Sequence, residues 1–235
     1  MISHKQIIYN LFMPRAKRQS PGGIVYHVLN RANARQIIFQ GFSDYRMFEK
    51  ILAEGLIKIT MRLTGYCLMP NHWHLLLWPY NDGDLSAFMH WITMTHTQRW
   101  HTAHGTVGTG HLYQGRFKSF PVQNEYYYLT ALRYIESNAF RVGLVESSSD
   151  WTWSSLAIRR GLAKDGVTIS AGPIELPDNW AALVDILPLE NDLKKIERCF
   201  RRGTPFGQDN WVRQTAKRLL LTSTLQPRGR PRKSS

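Results

Sequence analysis

A chain of 235 residues, 43% of them hydrophobic, can bury one main core with an appendage and is too apolar to be disordered. Two distant cysteines, Cys67 and Cys199, exclude a disulfide framework or thiolate zinc site, and no segment approaches the roughly 20 apolar residues of a membrane span, so a cytoplasmic protein is expected. The net charge of +13 sits at the ends: residues 1–20 carry four Lys/Arg and no acid, 21–193 fourteen against fifteen acids, and 194–235 twelve against two. A near-neutral centre with basic flanks suits a compact enzyme whose ends hold a polyanion by phosphate neutralisation; basic tails that only solubilise are the competing reading.

In chain order, the first element is a β-branched and aromatic strand at 24–30, after the turn Pro21-Gly22-Gly23. Residues 43–59 follow as a helix, with Phe48, Ile51, Leu52, Leu56 and Ile59 at helical spacing and Ser43 as N-cap. Two apolar runs, 63–68 and 74–78, joined by Met69-Pro70-Asn71, predict paired strands. A second amphipathic helix spans 84–104, a Gly/Thr-rich loop 105–110, a strand 112–122, and a third helix 125–138 closed by Gly143. This order, β-α-β-β-α-β-α, predicts an α+β domain with an antiparallel sheet covered by helices. The segment 156–180 is richer in Gly and Pro and leads to a helical appendage at 180–221, then to a polar basic tail. The expected divisions are therefore 1–20, 21–155, 156–225 and 226–235.

The densest chemical signal is Pro70-Asn71-His72-Trp73-His74, two histidines separated by one large apolar residue. On a strand His72 and His74 share a face while Trp73 enters the opposite side, so the two imidazoles can chelate one metal ion. Alone, the pair is equally compatible with an incidental surface pair. In the third helix Tyr128, Leu129, Leu132, Ile135 and Ala139 define an apolar stripe at about 100° per residue, and Tyr134 points away from it. Asn138 lies four residues beyond Tyr134 on that other face. Its carbonyl is a candidate third ligand for Mg²⁺ or Mn²⁺; a packing tyrosine followed by a helix-capping asparagine is the alternative.

Gly23-Ile-Val-Tyr-His-Val28 with Arg31 and Asn33, then Met69-Pro-Asn-His-Trp-His74, Gln114-Gly-Arg-Phe117, Tyr134-Ile-Glu-Ser-Asn138 and Asp150-Trp-Thr-Trp-Ser-Ser155 occur in that order. Together they resemble the REP-associated tyrosine transposases, members of the nuclease class marked by a His-hydrophobic-His motif and one catalytic tyrosine. Ala139 departs from the pattern, since many relatives have proline there. The resemblance implies a ferredoxin-like or RRM-like sheet carrying the histidines on a central strand, with the tyrosine helix beside it. It also implies Tyr134 as nucleophile, with His72, His74 and Asn138 holding the metal. Attack on a phosphodiester would leave a 5′-phosphotyrosine and a free 3′-OH, retaining the bond energy for rejoining. The implied substrate is a single-stranded DNA hairpin of the repeated-palindrome kind, cut by a monomer or homodimer associated with the nucleoid. A regulator that has lost catalysis, a replication-initiator-type nicking enzyme and a metal hydrolase are the rivals.

Other residues read as binding groups. Arg31, Asn33 and Arg116 are candidates for DNA contact, Arg116 as a phosphate clamp, while His27 reads equally as an ordinary strand residue. Trp151 and Trp153 read as locks between the domain's end and its core, and Tyr113 and Tyr127 as exposed aromatics able to stack bases. Arg228-Gly229-Arg230-Pro231 resembles an AT-hook core, in which Arg228 and Arg230 would enter the minor groove of AT-rich duplex. Residues 199–221 read as two short helices around a turn, in the manner of a helix-turn-helix reader.

Overall fold

The computed structural model describes residues 19–162 and 166–227. Four strands, β1 (Val25–Arg31), β2 (Met61–Met69), β3 (His72–Pro79) and β4 (Lys118–Val122), form one sheet in the order β2-β3-β1-β4, every neighbouring pair antiparallel. Helices α1 (Phe42–Lys58) and α2 (Asp84–Ala103) connect β1 to β2 and β3 to β4. This is the α+β, ferredoxin-like arrangement expected from the sequence. Several boundaries differ: the third helix stops at Glu136 rather than at 138, the histidine strand begins at His72 rather than at 74, and two further shifts have a cause in hydrogen bonding. Helix α1 begins at Phe42 rather than behind a Ser43 cap, because the Asp44 carboxylate accepts the Gln40 N–H at 2.8 Å and closes the turn into the helix. The last strand is shorter than 112–122, because residues 112–116 bond instead to the turn after β1, through Asn33 N–H to Leu112 O and Gln114 N–H to Arg31 O.

Strand register sorts the side chains by face. Arg31 lies opposite His72, Leu29 opposite His74, and His27 opposite Phe120, while β2 sets Met69 and Cys67 against His72 and His74. Directly opposed residues point the same way, so all of these share one face. The alternate residues Tyr26, Val28, Leu68, Trp73, Leu75 and Leu77 line the other face, packed with Phe48, Ile51 and Leu52 of α1 and Phe88, Met89 and Ile92 of α2.

Helix α3 (Tyr126–Glu136) covers the histidine face, followed by the single turn α4 (Asn138–Arg141). It approaches β2 at Gly65, beside a register shift in the strand, where an added Cβ would stand 2.3 Å from Leu132 Cδ1. Glycine is required there by contact with α3. At the other end of the helix Glu136 is wholly buried. Its carboxylate accepts from Ser155 Oγ (2.5 Å), Arg159 Nε (3.1 Å) and Trp180 Nε1 (2.6 Å), tying α3 to α5 (Ser155–Arg159) and α6 (Trp180–Asp185).

Of the C-terminal helices α6, α7 (Glu190–Arg202) and α8 (Asp209–Arg218), the first two pack onto this same face. Val184, Ile196, Cys199 and Phe206 share a buried cluster with Tyr128, Leu132 and Phe120. Phe206 bonds alongside β4, donating its N–H to Pro121 O and accepting from Gln123 N–H, so it covers an edge of the sheet. Trp151 Nε1 donates to Leu68 O, and Trp153 stacks on Tyr45 with ring centres 4.6 Å apart. No helix among the described residues is long and apolar enough to cross a membrane.

Candidate functional site

His72 and His74 project from the same side of β3 with ring centres 5.1 Å apart. His72 Nδ1 lies 2.6 Å from Asn71 Oδ1, and Asn71 Nδ2 is committed to Arg35 O. An amide oxygen only accepts, so His72 carries its proton on Nδ1 and its Nε2 lone pair is open to another ligand. His74 Nδ1 lies 3.0 Å from His27 Nε2, and with His74 Nδ1–H as the donor of that bond the His74 Nε2 lone pair is open to a ligand as well.

All three imidazoles are held neutral. Burial pushes His72 down to about 3, with the charges of Arg31 and Arg141 adding to it. Burial likewise takes His27 down to about 3, again with Arg141 adding, and holds His74 well below the usual imidazole range beside His72 and His27. Neutral imidazoles keep the lone pairs that a metal needs.

Tyr134 of α3 meets this group edge-on, its ring centre 5.8 Å from both His27 and His74. The sequence stripe placed Tyr134 off the apolar face; it is nonetheless only 7% exposed. The reason is α7, whose Phe200 lies over the site at 4.6 Å from His27, 5.4 Å from His74 and 6.3 Å from Tyr134, ring centre to ring centre. Asn138 follows the break at Ser137 between α3 and α4 and is buried, its Oδ1 accepting from an Arg141 NH2 at 3.4 Å. Arg141 also lies over the Tyr134 ring, 4.1 Å from its centre.

These residues line a cavity of about 620 Å³ shared by His72, His74, Tyr134, Asn138, Arg31, Arg116, Lys118, Arg141, Glu197, Phe200 and Arg201. Five cationic side chains against one carboxylate give it the polarity that attracts phosphate. A second cavity, of about 420 Å³, lies between α1 and residues 152–167 and contains none of the histidines. Among the described residues no group of three or more His, Cys, Asp or Glu side chains is placed to hold a metal ion. His72, His74 and Asn138 line the same cavity, and two neutral imidazoles with an amide oxygen are groups that could hold a divalent cation.

The structure thus brings together Tyr134, His72, His74, Asn138, Arg31 and Arg116. Asn33 is not in the cavity: it is exposed in the turn after β1, its Oδ1 accepting from Ala34 N–H. Arg228 and Arg230 lie outside the described residues. Tyr113 is not an exposed stacking residue, since it is buried with its hydroxyl bonded to Trp73 Nε1 at 2.9 Å and His96 Nδ1 at 2.5 Å. Tyr127 is half-buried, edge-on to Phe206 at 5.1 Å. Sequence reasoning missed Arg141, Lys118 and the α7 contribution. Arg141 was findable, three residues beyond Asn138 on a continuing helix; Phe200 carried no local signal.

Among curated proteins none matches the sequence. The family described as Transposase IS200 like matches residues 22–138, a span that holds His27, Arg31, His72, His74, Arg116, Tyr134 and Asn138. Among solved structures, a REP-associated tyrosine transposase bound to a REP hairpin superposes with a TM-score of 0.51 at 24% identity, covering 70% of this chain and all of that one. A candidate transposase from Deinococcus radiodurans R1 aligns with a TM-score of 0.38 at 16% identity, over 47% of this chain and 88% of that one. With a four-stranded antiparallel sheet that carries the two histidines and a tyrosine helix packed across them, the chain belongs to the IS200-like transposase family.

Proposed function

We propose that this protein is a metal-dependent single-stranded DNA endonuclease and strand transferase that uses Tyr134 as its nucleophile. The observation that carries the reading is the convergence of Tyr134 with His72, His74 and Asn138 in one basic cavity. The Tyr134 Oη attacks phosphorus as the bond from phosphorus to the 3′-oxygen breaks. The phenolic proton goes to solvent and the departing 3′-oxygen takes one up, so the products are a 5′-phosphotyrosine and a 3′-OH. Rejoining reverses these steps without a nucleotide cofactor.

His72 Nε2, His74 Nε2 and Asn138 Oδ1 are the atoms proposed to hold Mg²⁺ or Mn²⁺, which when bound supplies charge stabilisation for the phosphate oxygens. The neighbours of these atoms do the orienting. Asn71 fixes the His72 tautomer, His27 fixes the plane of His74, and Phe200 and Tyr134 pack against the His74 ring. Lys118 and Arg116 are exposed at the cavity and suited to flanking phosphates of a strand.

The substrate proposed is a palindromic single-stranded hairpin of the REP kind, in transposition or its domesticated equivalent. The fold shared with the hairpin-bound REP-associated transposase supports that choice. The basic tail with Arg228 and Arg230 is proposed as a second contact, to AT-rich duplex. Tyr134→Phe should abolish covalent attachment to a labelled hairpin oligonucleotide while leaving its binding within a few-fold. A covalent adduct that survives in this variant, with its peptide mapped to Tyr126, Tyr127 or Tyr128, would overturn the assignment.

A further inference from the structure

Two arginines reach the cavity by different routes and each leaves a donor unused. Arg31 comes from β1, directly opposite His72 in the sheet. Arg141 comes from the end of α4 and lies over the Tyr134 ring. In both, the Nε–H is buried and has no hydrogen-bond partner in the protein. Neither guanidinium forms a salt bridge among the described residues. Leaving a buried donor unsatisfied is costly, the more so on a charged group. Both chains are long enough to turn to solvent, so a fold that holds two such donors on one cavity with Tyr134 points to an anion as their partner.

The shape of the group narrows the anion. A guanidinium offers a planar fork suited to two oxygens of a tetrahedral phosphate. The other charged side chains on the cavity are Arg116, Lys118, Arg201 and Glu197. Arg116 and Lys118 are exposed, whereas Arg31 and Arg141 keep their Nε–H groups out of solvent. The first pair therefore belongs to the rim and the second to the floor. Both floor arginines act electrostatically on His72 and His74, which puts their charges near the histidine pair.

We propose that Arg31 and Arg141 form a two-arginine seat for the scissile phosphodiester, with Arg141 a further catalytic residue that touches a non-bridging oxygen. The assignment of the phosphate as scissile rests on the reading of Tyr134 as nucleophile; the seat itself does not. As the tyrosine oxygen approaches phosphorus, negative charge accumulates on the non-bridging oxygens, and a fixed guanidinium stabilises it without reorganisation. Arg141 also bonds Asn138 and packs on Tyr134, so binding the phosphate there would align nucleophile and substrate through one side chain.

The seat is tested first without DNA or metal. The full chain, treated with a chelator, is titrated with inorganic phosphate at constant ionic strength, and the arginine Nε–H resonances are followed by ¹H–¹⁵N NMR, assigned with Arg31→Lys and Arg141→Lys. The Nε–H signals of Arg31 and Arg141 should shift together and saturate with one dissociation constant, and Arg141→Lys should weaken that constant by about tenfold or more, in line with the loss of a bidentate contact. Unmoved signals, or shifts confined to Arg116, would overturn the seat. The second arm uses a hairpin oligonucleotide cut by the wild type, with a methylphosphonate at the mapped cut. Arg141→Gln should slow cleavage of the ordinary substrate by about 10²- to 10³-fold, the scale of one lost transition-state donor, and the methylphosphonate substrate by much less. Equal slowing of both would reduce Arg141 to a packing residue. If the wild type forms no adduct at Tyr134, the nucleophile reading fails, and the phosphate titration still decides whether the seat exists.

Discussion

Trp73 and its two histidine neighbours stand on opposite faces of one strand, and the contrast between those faces organises the molecule. Beneath Trp73 the sheet is largely apolar, closed by α1 and α2, and its buried polar groups are paired, Tyr66 with Glu49 of α1 and Trp73 with Tyr113. There Trp73 Nε1–H donates to the Tyr113 hydroxyl, which donates to His96 Nδ1. Above His72 and His74 the same strands present three imidazoles, two arginines with unused donors and a buried tyrosine. The strand's alternation of side chains therefore separates two tasks at single-residue spacing. One face supplies cohesion; the other holds polar groups whose local cost is offset by that cohesion.

The largest expected effect lies on the cohesive face. Trp73→Ala removes a fully buried indole and leaves the Tyr113 hydroxyl without its donor, which should cost about 3–5 kcal/mol. Chemical denaturation monitored by circular dichroism measures it. A loss below about 1 kcal/mol would erase the proposed difference between the faces.

A smaller effect should appear with acid. His96 is buried against Phe39 and Phe48 and held down to about 3, first by burial and then by the charge of His104. An unfolded histidine titrates near 6.5, so below that pH the unfolded chain binds a proton that the folded one refuses. The contribution is fully present above pH 6.5 and is lost as the pH falls toward 3, by about 1.4 kcal/mol per unit in between. By pH 5 this one residue should lower stability by about 2 kcal/mol. His96→Gln keeps an acceptor for Tyr113 and does not titrate, so its stability should decline less between pH 7.5 and 5 than that of the wild type. An identical decline would place the acid sensitivity elsewhere.

Much of this contrast was legible in the sequence because it rests on short-range periodicity. Two histidines at spacing two with a tryptophan between them dictate opposite faces on any strand, and the apolar stripes of α1 and α2 dictate which face is largely apolar. Tyr134 and Asn138 at spacing four share one side of a helix, and the break at Ser137 between α3 and α4 still leaves both on the cavity. What escaped is set by contacts distant in the chain. A helical appendage at 180–221 does not by itself say that Phe200 will cover His27, His74 and Tyr134. The burial of Glu136 depends on Ser155, Arg159 and Trp180, which satisfy its carboxylate from later in the chain. Tyr113 sits beside a glycine-rich stretch that suggests exposure, yet the bond between Asn33 N–H and Leu112 O draws that stretch inward and delivers its hydroxyl to Trp73.

The smallest expected change in stability belongs to the residue just before Trp73. His72 is half-buried and makes one side-chain hydrogen bond, to the neighbouring Asn71. A bond of that kind contributes only about 0.5–1.5 kcal/mol net. His72→Ala also removes an imidazole that the folded state holds neutral, with its pKa lowered to about 3, so the variant sheds one source of acid sensitivity. Its stability at pH 7.5 should therefore fall by no more than about 1.5 kcal/mol, and its disadvantage should shrink or reverse by pH 5 because the mutant no longer loses stability through this proton. Metal-dependent cleavage should be lost at both pH values, since one imidazole and one amide hold a hard cation poorly. Parallel denaturation curves of His72→Ala and Trp73→Ala at the two pH values provide the comparison. If His72→Ala proved as destabilising as Trp73→Ala, the histidine face would be part of the fold's cohesion, and the separation of tasks across the strand would be wrong.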